Sequence, residues 1–131
     1  MPWIPESHLD LIQDETRAFG SLVTLMKDGS PQATPVWFNS DGIYILINSA
    51  RGRVKDKNMR RDPRIALMIL DPQDPYRYIQ IRGRVVEITF QGAREHIDAL
   101  SKKYTGRDRY TGGPLGEVRV TYKILPEKIS A

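Results

Sequence analysis

Residues 21–48 read SLVTLMKDGSPQATPVWFNSDGIYILIN, and this stretch decides the fold. Ser21 to Met26 is rich in strand-forming side chains, and Asp28-Gly29 follows, a pair that turns a tight hairpin because glycine accepts positive φ at no steric cost. Gln32 to Phe38 returns as a second strand, Asn39-Ser40-Asp41-Gly42 turns the chain again, and Ile43 to Asn48 runs as a third. Connections this short permit only an antiparallel meander.

Working outward, Arg53 to Asp62 carries charge all round with no Gly or Pro, which predicts a short exposed helix stopped by Pro63. Ile65-Ala66-Leu67-Met68-Ile69-Leu70 is the longest apolar run, too short for a membrane span. It predicts a strand covered on both faces or a strand at a dimer contact. Asp71 to Pro75 is a loop. Tyr78 to Ile88 is a long strand whose apolar phase slips near Gly83, the signature of a β-bulge. Ala93, Ile97, Leu100 and Tyr104 recur at helical spacing, so Gln91 to Tyr104 is an amphipathic helix packed on the sheet. Thr105 to Gly116 holds four of the ten glycines and reads as a loop, and Val118 to Ile124 alternates as a final strand. Upstream, Ser7 to Gln13 predicts a short helix with Ser7 as N-cap and Leu9 and Ile12 on one face. The fold class is therefore mainly β: a six-stranded antiparallel barrel, closed or nearly so, with a few helices, and residues 1–131 as one domain.

Composition narrows the chemistry. The chain has no cysteine, which removes disulfides, thiolate zinc sites, Fe–S clusters and a cysteine nucleophile together. His8 and His96 lie on predicted helices outside any metal-ligand spacing and read as ordinary boundary residues, so no metal site is expected. There is no Gly-x-Ser-x-Gly elbow, Walker loop or Gly-x-Gly-x-x-Gly. An enzyme built from these residues would rely on a cofactor. Met1-Pro2-Trp3-Ile4-Pro5-Glu6 shows neither a basic n-region nor an apolar h-region, and a cytoplasmic location is the expectation.

The net charge is +4, and the block Arg51 to Arg64 sets seven cations against Asp56 and Asp62. Within it, Asn48-Ser49-Ala50-Arg51-Gly52-Arg53-Val54-Lys55 ends a strand and opens a helix, where free N–H groups and basic side chains favour an anion. On these residues alone a phosphate cradle and a solvated basic helix stand level. Nucleic-acid binding is the weaker use of the block, since no aromatics are interleaved with it. Pro35 interrupts the second strand and removes a ladder donor, which places that strand at an edge or a cleft. Trp37 and Phe38 then serve as core residues or as the wall of a flat ring, the core role being the better founded locally.

The order Thr34-Pro35-Val36-Trp37-Phe38, Ser49 to Lys55, Asn58-Met59-Arg60-Arg61-Asp62-Pro63-Arg64 and Ile79-Gln80-Ile81-Arg82-Gly83-Arg84 resembles the pyridoxamine 5'-phosphate oxidase-like, FMN-binding split-barrel superfamily, over about Leu22 to Ile129. Lys103-Tyr104-Thr105-Gly106 and the strand from Arg119 to Lys128 are similar to its branch that uses the deazaflavin coenzyme F420. The resemblance implies a homodimer with a cofactor cleft on each side of its interface. It implies that Ser49, Arg53 and Lys55 hold the cofactor phosphate, that the strand through Gln32, Thr34, Pro35, Val36 and Trp37 lies along the ring, and that Asn58 matches a recurrent helix position. The implied activity is an F420H2-dependent oxidoreductase that reduces a small acceptor such as an activated double bond. An FMN-dependent relative and a non-catalytic flavin or haem-type carrier are the alternatives. Pyridoxamine phosphate oxidases proper carry a longer C-terminal region, so their substrate is not expected, and the catalytic residues and the substrate stay open.

Overall fold

The computed structural model describes residues 4–131; Met1 to Trp3, part of the stretch read for a secretory segment, lie outside the described residues. Two 3-10 segments, Glu6–Ile12 and Asp14–Thr16, precede seven strands: β1 (Gly20–Leu25), β2 (Pro31–Val36), β3 (Phe38–Ser40), β4 (Ile45–Ala50), β5 (Arg64–Asp71), β6 (Asp74–Thr89) and β7 (Arg119–Ser130). Helix α1 (Val54–Arg61) joins β4 to β5, and α2 (Ala93–Thr105) joins β6 to β7. All pairings are antiparallel, in the order β2-β1-β5-β6-β7-β4-β3.

Six expected strands are seven because the strand at Gln32 to Phe38 breaks. Residues to Val36 pair with β1, and from Phe38 they pair with β4. The two edge strands of the sheet are thus consecutive in the chain, with Trp37 alone between them. A sheet whose opposite edges are one residue apart must curl until they meet, and the result is the split barrel. Its interior is filled by Leu22, Phe38, Ile45, Ile47, Leu67, Ile69, Ile79, Ile81, Val120, Tyr122 and Ile124, all fully buried.

The apolar run on β5 divides by face. Ile65, Leu67 and Ile69 enter the core. Ala66, Met68 and Leu70 face outward and are only partly covered, with Val23 of β1 opposite Ala66. The bulge expected near Gly83 is a pair of bulges. Between β6 and β7 the register shifts once at Arg82/Gly83, where Glu127 is skipped, and shifts back at Val85/Glu87, where Val86 is skipped. The extra residue on β6 is therefore Val86, whose side chain points out, and this is what displaces the apolar phase. The first helix is corrected: Glu6–Ile12 is a 3-10 segment capped by the backbone of Pro5. The Ser7 hydroxyl, which was to cap it, meets His8 Nδ1 at 2.8 Å instead.

Helix α1 is anchored from beneath. Asp56 is buried; its carboxylate accepts the Gly52 N–H at 2.9 Å, the Tyr122 hydroxyl from the core and Arg60 Nε at 3.0 Å. The Arg51–Arg53 turn, with Gly52 at φ +91°, is thereby tied to β7. Asn58 does the same toward β1, donating to Thr24 Oγ1 at 3.0 Å.

Candidate functional site

Where β2 gives way to β3 the curl leaves a cleft of about 330 Å3. Phe19, Pro35, Val36, Trp37 and Ile97 supply its apolar lining, and Asn48, Arg53, Lys55, Tyr110 and Arg119 its polar lining. The break at Trp37 builds the apolar wall, because a strand that stops pairing on one side turns its side chains into the gap. Trp37 stacks on Tyr104 with ring centroids 5.2 Å apart, Tyr104 stacks on Phe19 at 5.1 Å, and Tyr110 meets Trp37 edge-on at 6.0 Å. Three rings in a row make this wall stiff. The middle ring is fixed further, since Tyr104 Oη donates to Ala18 O at 2.7 Å. Burial raises its phenol to about 12, so it stays protonated at neutral pH.

The opposite character comes from three cations. Lys55, half-buried in the first turn of α1, donates to Thr34 Oγ1 at 3.3 Å. No carboxylate among the described residues pairs with it. Burial first, then the charges of Arg53 and Arg119, pull its ammonium below the usual lysine range. Arg119 is buried, donates through Nε to Asn48 Oδ1 at 2.8 Å, pairs closely with Glu117 and lies 5.1 Å over the Tyr110 ring. Arg53 shares Glu117 at 3.1 Å from a more exposed position. Burial works to raise Glu117, but Arg119 and Arg53 outweigh it and hold the carboxyl low. One carboxylate thus answers two cations and leaves Lys55 without a counter-charge, the electrostatic condition of an anion site.

Beneath the cleft lies a polar network that fixes Arg119. Asn48 Nδ2 donates to Ala93 O at 2.8 Å and to His96 Nδ1 at 3.1 Å, and His96 Nε2 donates to Asn39 Oδ1 at 2.9 Å. His96 is partly buried, a boundary residue as expected, but its ring is engaged on both sides rather than turned to water. Burial, with the charge of Arg119 second, pushes its imidazole down to about 4. An unfolded histidine titrates near 6.5, so between pH 6.5 and 4 the unfolded chain holds more protons, and stability falls as pH falls. The expected loss reaches about 3 kcal/mol by pH 4. Urea unfolding at pH 7, 5.5 and 4 measures it, and His96→Gln should flatten that part of the slope.

The sequence-derived site residues divide. Thr34, Pro35, Val36, Trp37, Arg53 and Lys55 meet at the cleft. Gln32 lies two residues before Thr34, its Oε1 accepting from Thr24 Oγ1 at 3.3 Å. Ser49 is buried in phase with Ile45 and Ile47, its hydroxyl without a hydrogen-bond partner, and does not line the cleft. Asn58 is buried between α1 and β1, with Arg61 Nη1 on its Oδ1 at 3.2 Å. Arg119, Tyr110 and Phe19 were not foreseen, and Asn48 was read only as the strand end that opens the anion-favouring stretch. For Arg119 a signal existed: an amphipathic helix must cover one face of a strand, so the polar residues of β7 under α2 are buried and need partners. Among the described residues no group of His, Asp and Glu could hold a metal ion, and no helix is long and apolar enough to cross a membrane.

The family model described as pyridoxamine 5'-phosphate oxidase matches residues 4–131. The chain belongs to the pyridoxamine 5'-phosphate oxidase family. Among solved structures, an F420 reductase is similar at 29% identity and a TM-score of 0.83, over 97% of this chain and 98% of that one. A conserved hypothetical protein from Mycobacterium tuberculosis shares the fold at 24% identity and a TM-score of 0.73, covering 96% and 82%. HupZ from Group A Streptococcus shares it at 22% identity and a TM-score of 0.66, covering 96% and 91%. Pyridoxamine 5'-phosphate oxidase-like proteins are oxidoreductases that bind flavin-type cofactors. The cleft of this family member suits such a group: a stiff aromatic wall for a ring and an uncompensated lysine for its phosphate.

Proposed function

We propose that the protein is an F420H2-dependent reductase acting on a small organic acceptor as a homodimer. The observation that carries the reading is Lys55, a half-buried cation with no counter-ion, set beside Arg53 and Arg119 at the foot of the Trp37 wall. The similarity to an F420 reductase supports the choice of coenzyme. A reduced deazaflavin, when bound, supplies a hydride. The protein's own residues do the rest. Lys55, Arg53 and Arg119 hold the phosphate by charge-assisted hydrogen bonds. The strand from Gln32 to Trp37 orients the ring, and Phe19 and Tyr104 keep water from its edge. Asn58 acts indirectly by fastening α1, and Ser49 by its place on β4. Neither Tyr104, committed to the Ala18 carbonyl, nor His96, held neutral beneath the cleft, is placed to give up a proton, and solvent delivers it. The outward apolar row Ala66, Met68 and Leu70 is the surface on which a second copy would seat.

Titrating the apo-protein separately with F420 and FMN, with tryptophan fluorescence as readout, tests the reading. F420 is expected to bind at least tenfold tighter, because its polyanionic tail gains from the Arg51–Arg64 charge excess, and Trp37→Phe should remove most of the quenching. The same sample should give the mass of two chains by light scattering. Equal affinities would transfer the assignment to FMN, and a one-chain mass at micromolar protein would exclude the dimer.

A further inference from the structure

A second cavity of about 350 Å3 adjoins the first, and the two share Phe19 and Pro35 as walls. Its other walls include Ser21 of β1, Leu70 at the end of β5, and Pro72 and Pro75 of the β5–β6 hairpin. Among the described residues its lining holds no cationic side chain, and the one ionisable residue there is Asp71. That carboxylate is engaged already, accepting the Gln73 N–H at 2.8 Å and Arg77 Nη1 at 2.9 Å, and Arg77 in turn holds Asp10 and the Ser7 carbonyl. The hairpin is thereby pinned to the N-terminal 3-10 segment, so the cavity is a built feature of the fold.

The two neighbouring cavities thus differ in charge, the first cationic and the second close to neutral because Arg77 answers Asp71. One collects three cations; the other presents proline, leucine and phenylalanine surface beside a single carboxylate. A phosphate, sulfate or carboxylate placed in the second would meet Asp71, whose cationic partner Arg77 is already spent on Asp71 and Asp10, and would leave its hydration shell uncompensated. A flat neutral molecule there would lie across Phe19 and Pro35 from whatever fills the first. We propose that this second cavity is the acceptor subsite, and that it selects an uncharged, flat, hydrophobic acceptor and rejects anionic ones. The proposal rests on the coenzyme reading for the role of the subsite, while the charge selectivity rests on the cavity alone.

A matched pair of probes tests it: N-phenyl-1-naphthylamine, which is neutral, and its 8-sulfonate. Equilibrium dialysis is run on protein saturated with F420, with each dye quantified after extraction. If F420 does not bind, the coenzyme reading fails, and the same dialysis is run on protein carrying both Lys55→Ala and Arg53→Ala, whose first cleft keeps only Arg119, already paired with Glu117. Either way the second cavity is read. The neutral dye is expected to be retained at least tenfold more strongly than the sulfonate. Ser21→Trp, which fills the cavity from β1, should abolish retention of the neutral dye. Pro72→Arg, at the exposed hairpin turn, should raise retention of the sulfonate several-fold with the near-UV circular dichroism and melting temperature unchanged, which separates the gain from the uptake of this dye by a molten protein. Equal retention of the two dyes, or a Pro72→Arg protein with no gain for the sulfonate, would overturn the proposal.

Discussion

Lys55→Ala is expected to weaken coenzyme binding ten- to a hundredfold while leaving the melting temperature unchanged or slightly raised. The two halves of that result have one cause. The Lys55 ammonium is half-buried, faces Arg53 and Arg119, and has only a hydroxyl as partner. Its lowered pKa means that the folded state holds this proton less tightly than the unfolded chain does. At neutral pH the charge therefore opposes folding, and the penalty fades as pH rises toward the ordinary lysine value of about 10.4. Removing the charge relieves the fold and deprives the ligand. A charge-assisted hydrogen bond contributes roughly 1.5–3 kcal/mol, and about 1.4 kcal/mol is tenfold in affinity. Arg53→Ala should fall at the lower end, because its side chain is 44% exposed and already shared with Glu117. Lys57→Ala is the control. It is exposed on α1, two positions beyond Lys55, and points elsewhere. Coenzyme titrations and melting curves of the three variants decide the matter: an equal loss in Lys57→Ala would mean general charge and no specific cradle.

Reading strands from the sequence worked where side-chain phase and turn chemistry agreed. Asp28-Gly29 and Asp41-Gly42 turn the chain as expected, and Ile65 to Leu70 is a strand with one face in the core. It could not show that one strand serves both edges of the sheet. Pro35 marked an edge, but the break falls at Trp37, and what sets it is the long-range pairing of Val36 with Gly20 and of Phe38 with Ile47. The same limit governs the site. Arg53 and Lys55 were legible because their chemistry is local: a strand end, a turn and a helix start within seven residues. Arg119 and Asn48 were not. They are neighbours only through the β4–β7 ladder, and their polarity suggests solvent until α2 is laid over them. The partners of His96 were hidden for that reason too, since an isolated histidine on an amphipathic helix carries no sign of Asn48 and Asn39 waiting for it.

Gly83→Ala is expected to be the most damaging small substitution in the sheet, costing about 3 kcal/mol and lowering the melting temperature by about 10–15 °C. A Cβ at position 83 would sit 2.2 Å from the Leu125 carbonyl oxygen and 3.2 Å from Pro126 Cα. Both obstacles are backbone, so no rotamer change relieves the overlap. The two strands come this close because the register is displaced by one residue over Gly83–Val85 and restored at Glu87. Glu127 on one strand and Val86 on the other are the extra residues at the two ends of that window, and each bulge adds the local twist that bends a long hairpin around the barrel. Alanine can be seated only by parting β6 from β7 at the point of tightest curvature, which strips ladder bonds or removes the bulges and flattens the sheet. Flattening would also carry Arg119 and Thr121, further along β7, away from β4 and α2, so the cleft should loosen with the fold. Arg82→Ala, one residue away and exposed, should change stability by no more than about 0.5 kcal/mol. Denaturant unfolding of the two variants separates the cases. Similar stabilities would mean that the β6–β7 window yields readily, and that its curvature is set elsewhere than at Gly83.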